Sequence, residues 1–324
     1  MNYLFITKLH NMSLDTIYAK GKIISGGTRI SNGSENFKKH FDNRFFRGEI
    51  GEIEYREFKN SVYMYDKGEI EGLKDNLNPS SYYFNFLDSL LRKAQHFANC
   101  LWLTKDNTVH VRTGYLYLYE NNPYTGAIVI SCSLNLVPST ASCEYDKTSF
   151  STEEIEKAIS YYNYDPVENW DEGEEGLQMP DKNPLTKDKG RIDRAKYFLL
   201  ITRSSTSLPI KIMNYCSILE CLLTSDNSGL SHKVSERFAY YLGNNYTERS
   251  KYFKLAKSAY DIRSKTVHGQ PIKKTKEEMQ EIAIEIDAAV RKIFASVLNE
   301  ESDCNIFNMK NEDYESWFTE LILK

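Results

Sequence analysis

Arg263 and His268 stand five residues apart in the stretch Tyr260-Asp-Ile-Arg-Ser-Lys-Thr-Val-His-Gly269. Arginine is a permanently charged planar fork that matches phosphate oxygens, and histidine is the side chain whose charge changes near neutral pH. Together they suffice for a metal-free attack on a phosphodiester. RNA brings its own nucleophile, the ribose 2′-OH. The imidazole would act as general acid or base, most directly by protonating the leaving 5′-oxygen. The guanidinium would stabilise the charge that grows on the phosphorane oxygens. DNA, which lacks the 2′-OH, should resist.

The spacing alone is a weak signal, so its setting matters more. Between Tyr246 and Lys276 nine basic residues (Arg249, Lys251, Lys254, Lys257, Arg263, Lys265, Lys273, Lys274, Lys276) face two acidic ones, Glu248 and Asp261. Such a run reads as a solvated helix face or as a track for a phosphate backbone, with Lys257, Lys265, Lys273 and Lys274 placed to steer RNA. On a helix the ridge Tyr252, Ala256, Ala259, Arg263, Val267 advances in steps of four and three, which places Arg263 among core-facing positions. Glu220 has the same anomaly in line with Met213, Cys216 and Leu223. A charge in an apolar stripe calls for a partner, so Glu220 is expected to hold Arg263. That pair could be purely structural. His268, before Gly269, could likewise be a helix cap that compensates the dipole.

The elements that must position these groups are helical. From Arg191 onward five helices are expected, near 192–203, 207–224, 230–242, 247–267 and 275–299, with a short closing helix around Trp317, Phe318, Leu321 and Ile322. Pro209 suits a first turn and Gly243 a stop. Met279, Ile282, Ile286, Val290, Ile293 and Val297 form a stripe suited to bundle packing. Residues 1–164 look rich in strands: Leu4-Phe-Ile, Ile17 to Ile24, Val109 to Tyr119 and Ala127 to Ile130, with turns at Gly26-Gly27, Asn32-Gly33 and Asn121-Asn-Pro123. One helix interrupts them, carrying Tyr83, Phe84, Phe86, Leu87, Leu90, Leu91, Ala94 and Phe97. The Tyr and Phe residues of this half read as core and cross-strand packing rather than as a platform for stacked bases. Residues 165–189, with eight acidic residues against Lys182, Lys187 and Lys189, read as an acidic linker, or as an arm that could mask the basic track. The fold class is therefore α+β: a β-rich domain at 1–164, a linker at 165–189 and an all-α bundle at 190–324.

Composition bounds the rest. Hydrophobic residues at 41% and charged residues at 27% of 324 mark an ordinary globular chain, and its formal charge of −4 argues against a general nucleic-acid coat. No apolar run is long enough to span a bilayer, and the start lacks a basic leader with an apolar stretch, so neither a membrane nor a signal peptide is expected. Cys100, Cys132, Cys143, Cys216, Cys221 and Cys304 are scattered and read as free thiols in a reducing cytoplasm. No His/Cys/Asp cluster has zinc spacing, so no metal or other cofactor is indicated.

Three stretches carry a family resemblance over roughly residues 191–300: Ser217-Ile-Leu-Glu-Cys-Leu-Leu223, Leu230-Ser-His-Lys-Val-Ser-Glu-Arg-Phe-Ala-Tyr-Tyr-Leu-Gly243, and Tyr260 to Gly269. Their order, a helix with Glu, a Leu/Ala helix, and a helix ending Arg-Ser-x3-His-Gly, resembles the Apea-like branch of the HEPN domains. The resemblance implies an all-α bundle that dimerises. It also implies a metal-independent endoribonuclease, a toxin or antiviral effector, with its Arg-x4–6-His motif at the dimer cleft. Arg263 and His268 would be the catalytic pair, with Glu220 and Ser264 in support. Many such nucleases carry a bulkier polar residue where Ser264 stands. Such proteins place a β-rich sensor or targeting domain ahead of the effector, here one that would sense an activator or phage-derived trigger. Two other readings stay open. One is a catalytically silent HEPN dimer that binds RNA, nucleotide or protein. The other is activity in the N-terminal half, where no nucleophile elbow, phosphate-cradling loop or paired metal ligands are seen.

Overall fold

Asn2–Lys8 (β1) is apolar or aromatic on both sides of its pleat, the composition of a central strand covered on both faces. The computed structural model, which describes residues 1–70, 79–120, 127–164, 184–186, 188–226, 228–298 and 306–323, places it there. Two compact units emerge, one from the described residues of 1–137 and 146–180, the other from those of 138–145 and 181–324. The arrangement is α+β.

In the first unit β1, Lys22–Ser25 (β3), Thr28–Ser31 (β4), Tyr63–Glu69 (β5), Thr113–Tyr119 (β6) and Ile128–Ser133 (β7) form an antiparallel sheet in the order β3-β4-β5-β1-β6-β7. Met12–Leu14 (β2) pairs in parallel with Thr148–Phe150 (β8). Alternation sorts the sheet's side chains between two layers. Leu4, Ile6, Tyr63, Tyr65 and Tyr117 pack against Phe37 and Phe41 of Ser34–Phe41 (α1), Phe46 of Arg44–Ile50 (α2), and Tyr55 and Phe58 of Glu52–Lys59 (α3). On the other face Pro79–Thr104 (α4) comes so close that a methyl group at Gly114 would meet the Phe5 ring at 3.0 Å and Leu91 at 3.1 Å. Thr152–Tyr164 (α5) lies on α4, with Tyr162 against His96 and Phe97. The aromatic residues of this sheet are thus its core.

The sequence places one helix here, and the described residues form five. Those at α1 to α3, seven or eight residues each, span only about two turns, too few to show a sustained helical stripe. Even so, Asn43 caps α2, accepting from the Phe46 N–H at 2.6 Å. A capping box at Ser151 and Glu154 marks the start of α5. The strand expected from Ile17 to Ile24 begins only at Lys22. Before it, side chains hold the chain as a loop: Asn32 accepts from the Tyr18 N–H at 2.9 Å, and Ser31 donates to the Tyr18 carbonyl at 2.8 Å. The expected turn at Asn121-Asn-Pro123 and most of the acidic stretch 165–189 lie outside the described residues.

The second unit contains Arg191–Ser204 (α6), Leu208–Leu223 (α7), Leu230–Leu242 (α8), Tyr246–Val267 (α9), Lys276–Val297 (α10) and Asn311–Leu323 (α11). Helix α7 is apolar nearly all round and packs against α6, α8, α9 and α10, burying Ile212, Tyr215, Ile218, Leu219 and Leu222. Its one wholly buried cation, Lys211, donates to the Thr140 carbonyl at 2.8 Å and to Oγ and the carbonyl of Ser139 at 3.1 and 3.3 Å. Three acceptors for three protons make that burial tolerable and bind residues 138–145 into the bundle. Gln280 adds a bond to the Ser142 carbonyl at 3.2 Å. This clasp is not legible from sequence.

Candidate functional site

Helix α9 positions the Arg/His motif, and both of its ends are fixed locally. Asn245 caps the start, accepting from the Glu248 N–H at 3.0 Å. At the end Gly269 adopts φ 62°, its N–H reaches the Thr266 carbonyl at 3.3 Å, and the Gln270 N–H reaches the Lys265 carbonyl at 2.8 Å. This is a Schellman closure, and a left-handed residue there strongly favours glycine. His268 is the cap residue immediately before it, so the His-Gly order has a backbone reason as well as a chemical one.

Arg263 and Glu220 do meet. Arg263 Nη2 lies 3.3 Å from Glu220 Oε1, and the same oxygen accepts from the Tyr260 hydroxyl at 3.0 Å. The pair is less enclosed than the apolar ridge implied, with the Arg263 side chain 34% exposed and that of Glu220 20%. The buried face of α9 is Leu255, Ala256, Ala259, Tyr260 and Ile262, so Arg263 stands at its edge, and Val267 is exposed at the helix end. Tyr260 is the residue missed by sequence reasoning. It sits three positions before Arg263, on the neighbouring helical turn, and that spacing was a usable signal. Burial first, then the charge of Glu220, pushes its phenol well above the ordinary range. Tyr260 therefore remains a hydrogen-bond donor to Glu220 rather than a proton source. Burial likewise raises the neighbouring Cys216 thiol, and Cys221 is pushed up to about 11, mainly by burial.

Arg263 opens onto a cleft of about 400 Å³ lined by Leu230, Ser231, Lys257, Tyr260, Asp261, Arg263 and Ser264. Lys257 Nζ reaches Ser231 Oγ at 3.3 Å across its mouth. Two cations, three hydroxyls and one carboxylate make a lining that can hold a phosphate. Among the expected site residues Arg263, Ser264 and Lys257 are brought together there, with Glu220 behind Arg263. Lys265 is turned aside into an ion pair with Asp261 at 2.6 Å. Lys273 and Lys274 lie in the loop after α9, outside the lining. Of the wider basic run, Lys251 is paired with Glu285 at 2.9 Å, and Arg249 is spread over the Tyr240 ring with Nε on the Gly243 carbonyl. The run is partly consumed by structure.

His268 is exposed and also lies outside the cleft lining. Five helical residues carry it roughly 140° round the axis and about 7.5 Å along it from Arg263. Among the described residues its ring makes no hydrogen bond, ion pair or ring contact. No group of three or more His, Cys, Asp or Glu among the described residues is placed to hold a metal ion, and no helix is long and apolar enough to cross a membrane.

No family model, curated protein or solved structure matches this chain.

Proposed function

We propose that the bundle is a metal-independent endoribonuclease of HEPN type that works as a homodimer in the cytoplasm, with Arg263 as the charge-stabilising group and His268 as the proton-transfer group. One observation carries this reading. Arg263 is anchored on one side by a single oxygen of Glu220, and it keeps its remaining N–H groups for a cleft that also presents Lys257, Ser231 and Ser264. An arginine needed only for packing would have its donors occupied. In the reaction the guanidinium faces the scissile phosphate, the ribose 2′-OH attacks phosphorus, the 5′-oxygen leaves with a proton from His268, and a 2′,3′-cyclic phosphate results. Because His268 points away from Arg263 within one subunit, a two-fold partner is what would deliver a second His268 to the cleft. The exposed Val267 beside it suits such a contact. The N-terminal unit would be the sensor of an activator or phage-derived trigger.

A second reading, a silent dimer that binds RNA, nucleotide or protein, is favoured by His268 itself. Nothing among the described residues orients its ring, whereas general acids are usually held by a partner. Incubation of the purified protein with total RNA in EDTA, beside the Arg263→Ala/His268→Ala double variant, separates the two. Cyclic-phosphate ends from the wild type alone support the nuclease. RNA that is bound but left intact supports the binding module. Cleavage that survives in the double variant overturns the assignment of the site.

A further inference from the structure

The N-terminal unit has a larger cleft, about 920 Å³, that the Arg/His site does not involve. Two stretches of chain build it, the end of β1 through β2 (Lys8 to Leu14) and α3 with the loop to β5 (Ile53, Arg56, Glu57, Lys59 to Val62), joined by the separate residues Asn32 and Lys147. Four cations, Lys8, Arg56, Lys59 and Lys147, oppose the one carboxylate of Glu57. Lys8 is engaged with Glu57 at 2.6 Å and Arg56 with Glu52 at 2.7 Å. Lys59 and Lys147 have no ion-pair partner among the described residues. We propose that this cleft binds a nucleoside polyphosphate, with Lys59 and Lys147 on the phosphates.

Size and charge select that class. A bare phosphate or a single carboxylate fills a small part of such a volume, which is in the range of sites for whole small molecules. The lining carries three net positive charges, and its two unpaired cations are the point-like Lys59 and Lys147, which fit an anion that carries several charges along its length. The rest of the lining leaves room for a base and ribose: exposed Ile53 and half-buried Leu14 offer apolar surface, and the side-chain carbonyls of Asn11 and Asn60 offer acceptors. Asn11 holds φ 56°, in the left-handed region, and is fixed there by a 2.9 Å bond from its amide to Thr108 Oγ1. A constrained backbone of this kind is found where a local geometry is needed.

The feature that should repel an anion is neutralised. Helix α3 ends at the cleft with its carbonyls outward, but the Asn60 amide covers that of Arg56 at 3.1 Å, the Asn60 N–H and Ser61 Oγ cover that of Glu57, and the Ser61 N–H covers that of Phe58. The positive field also registers on His10, whose imidazole is held down at about 4 by burial first and then by Lys8, His110 and Arg112.

Calorimetric titration of the full chain with ATP, adenosine and tripolyphosphate tests this, using wild type, Lys59→Gln/Lys147→Gln and Arg263→Ala. The expected result is saturable ATP binding that weakens with salt, is kept by Arg263→Ala and falls roughly tenfold or more in the double lysine variant. Adenosine should bind far more weakly than ATP, and tripolyphosphate more weakly than ATP. No ATP binding, or ATP binding unchanged by the double lysine variant, overturns the site. Tripolyphosphate binding as tightly as ATP overturns the nucleoside part of the assignment. Neither result depends on whether the bundle cleaves RNA.

Discussion

Two Arg–Glu pairs stand on the same bundle and are built in opposite ways. Arg237, on α8, is wrapped: Nη1 donates to Glu315 Oε1 and to the Leu223 carbonyl, each at 3.0 Å, Nη2 donates to Glu315 Oε2, and the guanidinium lies 4.7 Å from the centre of the Phe318 ring. Its side chain is 7% exposed. Arg263, on α9, has one carboxylate oxygen at 3.3 Å and is 34% exposed. The first pair latches α11 onto the bundle, helped by Arg191, which lies 4.1 Å from the Tyr314 ring centre. The second leaves most of a five-donor fork facing a cleft. The same two residue types therefore serve closure in one place and, in the proposed site, recognition in the other, and donor occupancy distinguishes them better than residue identity does.

The largest effect expected from this contrast is on chemistry. Arg263→Ala should lower the single-turnover rate of RNA cleavage by roughly a hundredfold to a thousandfold, the cost of removing a donor from developing negative charge. Its folding stability should change by about 1 kcal/mol or less. Collapse of the bundle in this variant would erase the distinction between the pairs. Next comes stability. Glu315→Ala, which strips Arg237 of a two-point partner, should cost about 1.5–3 kcal/mol in denaturant melts. Glu220→Ala, at a half-open pair, should cost about 1 kcal/mol or less. Equal losses at the two sites would contradict the comparison.

Acid provides a third test. The hydrogen bond from Arg237 holds the Glu315 carboxyl below the usual carboxylate range. Its folded value is thus lower than its unfolded one, so its contribution is fully present above the unfolded value of about 4.3 and is lost as pH falls through the lowered one. Stability followed from about pH 5 to 3 should fall less steeply in Glu315→Gln than in wild type. Identical slopes would mean that Arg237 does not depend on that charge. A comparably small effect is expected at Tyr260→Phe, which loses one bond to Glu220 at a cost of about 0.5–1.5 kcal/mol. A melting temperature unchanged from wild type would assign Glu220 to Arg263 alone.

Sequence made the bundle legible where periodicity was strong. The stripe from Met279 to Val297, the stop at Gly243 and the first-turn Pro209 placed α10, α8 and α7 within a residue or two. On α9 the phase was misjudged, because charged and apolar residues are interleaved there. The ridge drawn through Arg263 and Val267 belongs to the edge of the helix, while Tyr260 and Ile262 carry the core. The Glu220 partnership survived that error, since a charge in an apolar helix needs a partner whichever turn it occupies. The N-terminal helices at α1 to α3 were missed for their brevity, and the Lys211 clasp because a lysine in an apolar run says nothing about which distant carbonyls it will meet. The large cleft of that unit went unseen for the same reason: Lys8, Lys59 and Lys147 line it together only after folding.

The proposed pairing of Arg263 of one subunit with His268 of another makes a single site for RNA cleavage. Mixing separately purified Arg263→Ala and His268→Ala proteins, allowing exchange, and assaying RNA in EDTA tests it directly. A mixed dimer would rebuild one site with both groups intact, so the expected result is activity in the mixture where each variant alone is inactive. A mixture as inactive as its parts, beside a wild type that cleaves under the same conditions, would contradict it.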